Sequence, residues 1–208
     1  MIKNIIFDLG DVLINLDRLN TQTELKKLGL YEFSKEMTDL NLNYEKGLVS
    51  TEAFISYYKN IFKDRGEDEL VKMWNAILSD FPEYRLKFLE NIDKKYSLFL
   101  FSNSNELHLN YFKKKAGDDF YSRFSNCFEK EYYSFQVNLR KPDPEAFQFI
   151  LDENKLKPEE TLFIDDTKEN TDSAKKLGMR VWNLQAGKED VTDLFQKFPS
   201  LEKTILKP

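Results

Sequence analysis

Cysteine is almost missing from the chain: Cys127 is the only one among 208 residues, which excludes an internal disulfide framework. Long hydrophobic runs are missing too. The only apolar run near the start, Ile5 to Phe7, is closed by Asp8 and is too short for a secretion signal or a membrane span. These two absences together imply a cytoplasmic protein in a reducing setting, with Cys127 a buried thiol. An excess of basic charge is also lacking, since 31 Lys and Arg face 36 Asp and Glu for a net charge of -5. The longest basic run, Lys113 to Lys115, ends a helical stretch and reads as a solvated face. A nucleic-acid surface is excluded on that ground. An anionic ligand therefore needs positive charge supplied locally, by a metal ion or a placed lysine. Histidine is nearly absent, and there is no internal repeat or low-complexity tract.

What is present is a composition that packs: 41% hydrophobic and 14% aromatic residues, with 32% charged to solvate the surface. The length suits one main domain, with room for a smaller inserted unit. Four short segments rich in Ile, Val, Leu and Phe read as strands: KNIIFD (3–8), SLFLFS (97–102), TLFIDD (161–166) and MRVWNL (179–184). A weaker fifth, NCFEKEYY, lies around residue 128. Near-continuous hydrophobicity suits strands covered on both faces by helices. Helical spacing recurs between them, as in Pro144–Leu151 and in Thr171–Leu177, the latter stopped by Gly178. The fold class expected is α/β, a doubly wound parallel sheet.

One connection is out of scale. From Leu16 to Pro82 no strand is legible, yet apolar residues recur at helical intervals, for example Phe54, Tyr57, Tyr58 and Ile61, then Leu70, Met73, Trp74 and Ile77. A βα connection is normally a few residues long, so residues 16–82 read as a helical cap inserted after the first strand, with 1–15 and 83–208 forming the core. Gly47 with Ser50 or Thr51 marks a helix boundary inside it, and Phe81-Pro82 marks the return to the sheet. The aromatic residues of the insert, Tyr44, Phe54, Tyr57, Tyr58 and Trp74, are expected to form its small core.

Ligands of parallel α/β sheets bind outside the carboxyl ends of the strands. The polar residues that close the apolar runs are Asp8, Ser102 with Asn103, and Asp165 with Asp166. Any one of them reads as turn or capping chemistry; three together at three strand ends, with a Lys-Pro turn, read as a site. Three carboxylates would repel one another unless neutralised, and hard oxygen ligands suit Mg²⁺. Ser102 and Asn103, with backbone N–H groups at the next helix start, can hold a phosphoryl oxygen. Lys141, in LRKPDPEAF, opens a helix and supplies the local positive charge; Arg140 beside it reads as a surface or supporting group.

In this order, FDLGDVL, FLFSNSNELH, LRKPDPEAF and TLFIDDTKENTDSAKKLG resemble the four motifs of the haloacid dehalogenase-like (HAD) hydrolase superfamily. The helical insert is similar to its C1-type cap. The resemblance spans nearly the whole chain and is most specific in the pattern Asp165, Asp166, Asn170, Ala174, Gly178. The opening, the SNSN segment, His108 and the RKPD turn look most like a bacterial branch that includes α-D-glucose-1-phosphate phosphatases. The resemblance implies a phosphatase in which Asp8 is the nucleophile and becomes an aspartyl phosphate. It implies that the Gly10 carbonyl and Asp166 bind Mg²⁺ directly, and Asp165 directly or through water. It implies that Ser102, Asn103 and Lys141 hold the phosphate and stabilise charge in the transition state.

Many phosphatases of that superfamily carry Asp two residues after the nucleophile, as acid and base; this chain has Gly10. Loss of such a group forfeits about 10² to 10⁴ in rate. A good leaving group, such as that of a sugar 1-phosphate, needs less protonation, and this reading is favoured over two others, that Asp11 or a cap residue substitutes for the acid, or that the protein is a weak enzyme kept for binding. Asp11 is expected to stabilise the loop, and His108 to be packed or at the surface. The tyrosine of the dehalogenating enzymes is absent, against C-halogen hydrolysis. Response-regulator receiver domains place similar residues in the reverse order and are disfavoured. The expectation is a cytoplasmic Mg²⁺-dependent hydrolase of a small phosphorylated metabolite, with no nucleic-acid or membrane partner. The alternative is a catalytically silent scaffold of the same fold.

Overall fold

In the computed structural model, which describes residues 1–92 and 94–202, five parallel strands form one sheet. They are β1 (Asn4–Phe7), β2 (Ser97–Ser102), β3 (Lys130–Tyr133), β4 (Thr161–Asp165) and β5 (Arg180–Asn183), in the order β3-β2-β1-β4-β5. β1 is central, pairing Phe7 with Leu100 of β2 on one side and with Ile164 of β4 on the other. Alternate residues face opposite layers. Ile5, Phe7, Leu98, Leu100, Leu162 and Ile164 join one buried cluster, with residues of α5 (Glu83–Ile92), α6 (Glu106–Ala116) and α7 (Asp118–Asn126). Ile6, Phe99, Phe101 and Phe163 join the other, with α9 (Pro144–Glu153) and α10 (Lys168–Lys176); the short α8 (Ser134–Val137) follows β3. Because both faces are apolar, neither face alternates with polar residues, which is why the strands read as continuous hydrophobic runs. The weak fifth strand is real and is the edge strand β3, whose first residue, Lys130, is exposed. Gly178 adopts φ 93° just beyond α10, as a helix stop requires.

Between β1 and α5 lie four helices: α1 (Arg18–Lys27), α2 (Lys35–Glu45), α3 (Thr51–Ile61) and α4 (Glu67–Asn75). Serines cap two of them, Ser34 accepting from Met37 N at 3.2 Å and Ser50 from Ala53 N at 3.2 Å. Their apolar faces meet in a cluster of their own around Met37, Tyr44, Phe54, Ile55, Tyr58 and Leu70, with Tyr57 and Trp74 packed against it. The aromatic residues stack there, Tyr44 on Phe54 at 4.1 Å. The chain enters and leaves this unit through two adjacent segments tied by backbone hydrogen bonds, Asp17 N to Ile77 O at 2.7 Å and Asn15 N to Asp80 O at 3.0 Å. Cys127 is a buried thiol whose Sγ donates to Arg123 O at 3.3 Å. Among the described residues no helix is long and apolar enough to cross a membrane.

Candidate active site

The sheet order decides which strand ends meet. β2, β1 and β4 are neighbours, so Ser102, Asp8 and Asp165 stand side by side at their carboxyl ends. Asp8 has just left β1, its N–H still bonded to Ile164 O at 2.9 Å. The loop before α9 brings Lys141 beneath them, only 1% exposed. Its ammonium donates to Asp8 Oδ1 at 2.5 Å, to Asp165 Oδ2 at 2.7 Å and to Phe101 O at 2.7 Å. All three protons of the ammonium are thereby engaged. Asn103 fixes that loop: its Nδ2 donates to Lys141 O at 2.8 Å and its Oδ1 accepts from Lys141 N at 2.9 Å. With Oδ1 and one N–H of Nδ2 engaged on Lys141, Asn103 has its second Nδ2 proton and its backbone left for an anion. Ser102 is different. It is buried at the edge of the cavity, and its hydroxyl has no partner among the described residues.

The acidic pair divides its work. Asp165 is fully buried and accepts from Lys141, from Thr167 N at 2.8 Å and from Asn170 Nδ2 at 3.0 Å at both oxygens. Asp166 faces the cavity. One ligand atom from each of Asp8, Asp165 and Asp166 falls within 4.8 Å of the others. Burial pushes the Asp8 carboxyl up to about 7; Lys141 pulls against this and Asp165 adds to it. Burial and the charges of Asp165 and Asp11 also raise Asp166. Lys141 is held above its ordinary value because the Asp165 and Asp8 carboxylates outweigh its own burial. A buried set of hard oxygen donors that disfavours its own ionisation fits a divalent cation such as Mg²⁺, with Asp8 and Asp166 at the wall of a cavity that Gly10 also lines.

Asp11 is held within its own loop. It lies in the left-handed region at φ 55°, its Oδ1 accepts from Leu16 N at 3.0 Å, and its Oδ2 pairs with Arg18. His108 is a packed histidine. Its Nε2 lies 3.1 Å from Trp74 O, its Nδ1 3.1 Å from Asn105 Nδ2, and its ring stacks on Trp74 at 5.6 Å. Burial lowers its pKa to about 4, so the neutral ring donates from Nε2 and joins α6 to the helical insert.

Two site residues escaped the reading of the sequence. Arg18 and Glu45, both from the insert, line the same cavity, of about 290 Å³, as Asp8, Ser102, Lys141 and Asp166. Arg18 lies 3.6 Å from Asp166 Oδ2. Glu45 pairs with Arg140 at 3.0 Å, and burial raises its pKa while Arg140 lowers it. Neither belongs to a local motif, and their only signal was their place in an insert that follows the strand carrying Asp8.

The family model for haloacid dehalogenase-like hydrolases matches residues 5–184 of the chain. The chain belongs to this family. As a HAD hydrolase it is similar to the D-ribitol-5-phosphate phosphatase of Bacteroides thetaiotaomicron, 26% identical over 90% of this chain and 94% of that one. It is also similar to a HAD family enzyme of the same organism solved as a complex with magnesium and inorganic phosphate. The two share 32% identity with a TM-score of 0.82, over 94% of this chain and 100% of that one. A HAD-like hydrolase structure from Porphyromonas gingivalis shares 25% identity with a TM-score of 0.79, covering 100% of both chains.

Proposed function

We propose that this HAD hydrolase is a Mg²⁺-dependent phosphatase of small sugar or sugar-alcohol phosphates, working through an aspartyl-phosphate intermediate. Residues 16–82 form its cap, and 1–15 with 83–208 its core, of which 93 and 203–208 lie outside the described residues. The observation that carries the reading is one cavity holding Asp8 against the Lys141 ammonium at 2.5 Å and, beside it, the unpartnered hydroxyl of Ser102. Asp8 attacks phosphorus, the bond to the ester oxygen breaks, and water then cleaves the acyl phosphate to release phosphate and restore the carboxylate. Ser102 donates to an equatorial oxygen. Lys141 neutralises charge on the Asp8 side, while Asn103 holds its backbone in place. Mg²⁺, held by Asp8, Asp166 and the Gly10 carbonyl with Asp165 behind them, supplies positive charge to the phosphoryl oxygens when bound. In-line displacement points the leaving oxygen away from Asp8.

Two esters compete within the proposed class. Gly10 offers no acid and so favours an oxygen that leaves easily, as from a sugar 1-phosphate. The similar Bacteroides enzyme, by its name, acts on D-ribitol 5-phosphate, the ester of a primary alcohol. Phosphate release from a panel of both kinds, with Mg²⁺ and with chelator, tests the reading, with Asp8→Asn alongside. The expected result is metal-dependent turnover of at least one panel member and background rates for Asp8→Asn. Activity indifferent to chelator, or undiminished in the variant, rejects it.

A further inference from the structure

The cavity that holds Asp8 is also lined by residues from the insert, and an in-line displacement needs room for the leaving group on the side away from Asp8. Three polar side chains stand apart from the strand-end machinery there: Arg18, Glu45 and His108. Two are already engaged. Both ring nitrogens of His108 have partners, Trp74 O and Asn105. The guanidinium of Arg18 is paired with Asp11 and lies 3.6 Å from Asp166. Of the three, Glu45 alone keeps a free acceptor: its Oε2 accepts from Arg140 Nη2 at 3.0 Å, while Oε1 has no partner among the described residues.

The backbone around Glu45 is held by the core. Ser134 Oγ donates to Glu45 O at 2.6 Å, and Asn138 Nδ2 donates to Lys46 O at 2.7 Å. Lys46 pairs with Asp143 at 2.9 Å, two residues from the catalytic Lys141. Gly47 approaches so closely that a Cβ there would lie 2.0 Å from Phe135 O. The end of α2 is thus seated on the segment that carries Lys141, and Glu45 is placed before any ligand arrives.

We propose that Glu45 is a specificity-determining residue, whose free Oε1 accepts hydrogen bonds from hydroxyl groups of the leaving moiety and so selects polyol and sugar esters over plain alkyl esters. The inference rests on the phosphatase reading above. The ion pair with Arg140 at 3.0 Å holds one carboxylate oxygen and leaves Oε1 as a free acceptor, which is the geometry that recognition of a hydroxyl requires, while burial keeps the Glu45 pKa above its ordinary value against the pull of Arg140. A site built to bond a substrate hydroxyl also rejects analogues that lack it.

The test is the ratio of kcat/KM for a pentitol 5-phosphate to kcat/KM for propyl phosphate, measured in wild type, Glu45→Ala and Glu45→Gln. Loss of a charged acceptor predicts that this ratio falls about ten- to hundredfold in Glu45→Ala. It should fall less in Glu45→Gln, which keeps a neutral acceptor. Competitive inhibition by inorganic phosphate reports the phosphate pocket separately in each variant. An unchanged ratio overturns the assignment, and so does an equal loss on both substrates. If a variant fails to fold, deoxy analogues of the pentitol phosphate turned over by wild type decide the matter: removal of no single hydroxyl costing as much as fivefold overturns it. A wild type inactive on every ester rejects the phosphatase reading itself; a wild type active on both with an unchanged ratio rejects only the role of Glu45.

Discussion

At Gly10 one missing side chain shapes the chemistry. The residue lines the cavity beside Asp8, and a Cβ built there would lie 2.9 Å from Leu16 Cδ1, the far end of a flexible side chain. Leu16 can turn aside, so Gly10→Asp is expected to fold. The new carboxylate should raise kcat for alkyl phosphates more than for sugar 1-phosphates, by up to about 10²-fold given what general acids contribute; steady-state kinetics on both esters checks this. Equal effects would count against the leaving-group argument. Lys141 offers a harsher test. Its ammonium is the only cation in contact with Asp8 and Asp165 among the described residues. Lys141→Met leaves two buried carboxylates uncompensated, and urea unfolding of the metal-free protein should show a loss of about 3–5 kcal/mol. The places of Asp8 and Lys141 in the cavity were legible because a strand end and a Lys-Pro turn are local signals. That the side chain of Asn103 turns to the backbone of Lys141 was not, because the partner is 38 residues away.

At the level of elements, the insert and core are joined by polar contacts between helix ends. His108 is the clearest of them, binding Trp74 O from α6. Its folded pKa of about 4 lies below the ordinary 6.5. The unfolded chain therefore takes up a proton that the folded one refuses, and the contribution of His108 is complete above pH 6.5 and is lost as the pH falls toward 4. Thermal unfolding between pH 4 and 7 should show a shallower pH dependence in His108→Gln than in wild type. That the insert is helical was legible in its 3.6-residue periodicity. Which of its residues would reach the site was not, since α2 presents Glu45 only because its C-terminal end packs on the segment from Ser134 to Asp143. The weak fifth strand was faint for a related reason: an edge strand half open to solvent carries Lys130 and Glu131 where a central strand would carry apolar residues.

Across the molecule, the metal site ties stability to function. Without metal, burial raises the Asp8 pKa to about 7 from 3.8. The folded state then holds a proton that the unfolded state releases, so this group weakens the metal-free protein as the pH rises from about 4 to 7. Mg²⁺ binds the ionised carboxylates, and its binding to the folded state alone adds stability by mass action. The rise in Tm produced by 10 mM Mg²⁺, roughly a saturating level for millimolar affinity, should be larger at pH 8 than at pH 5. Asp8→Asn should abolish most of that difference while raising the Tm of the metal-free protein at pH 8, a stability gained at the expense of a carboxylate that the proposed reaction needs.

The amino-acid sequence determined the α/β class, the parallel strands, the helical insert and the acidic, hydroxyl and lysine groups of the strand ends. Each of these is written in local periodicity, or in a polar residue closing an apolar run, and needs no knowledge of distant partners. The tertiary structure alone decided how those groups are arranged: Asp165 buried against Lys141, Asp166 facing the cavity, Asp11 held by Leu16 and Arg18. It also decided that Glu45 joins them, 37 residues after Asp8 in the chain. Side-chain direction and cross-chain pairing depend on how the insert seats on the sheet, a long-range packing outcome that spacing along the chain does not encode.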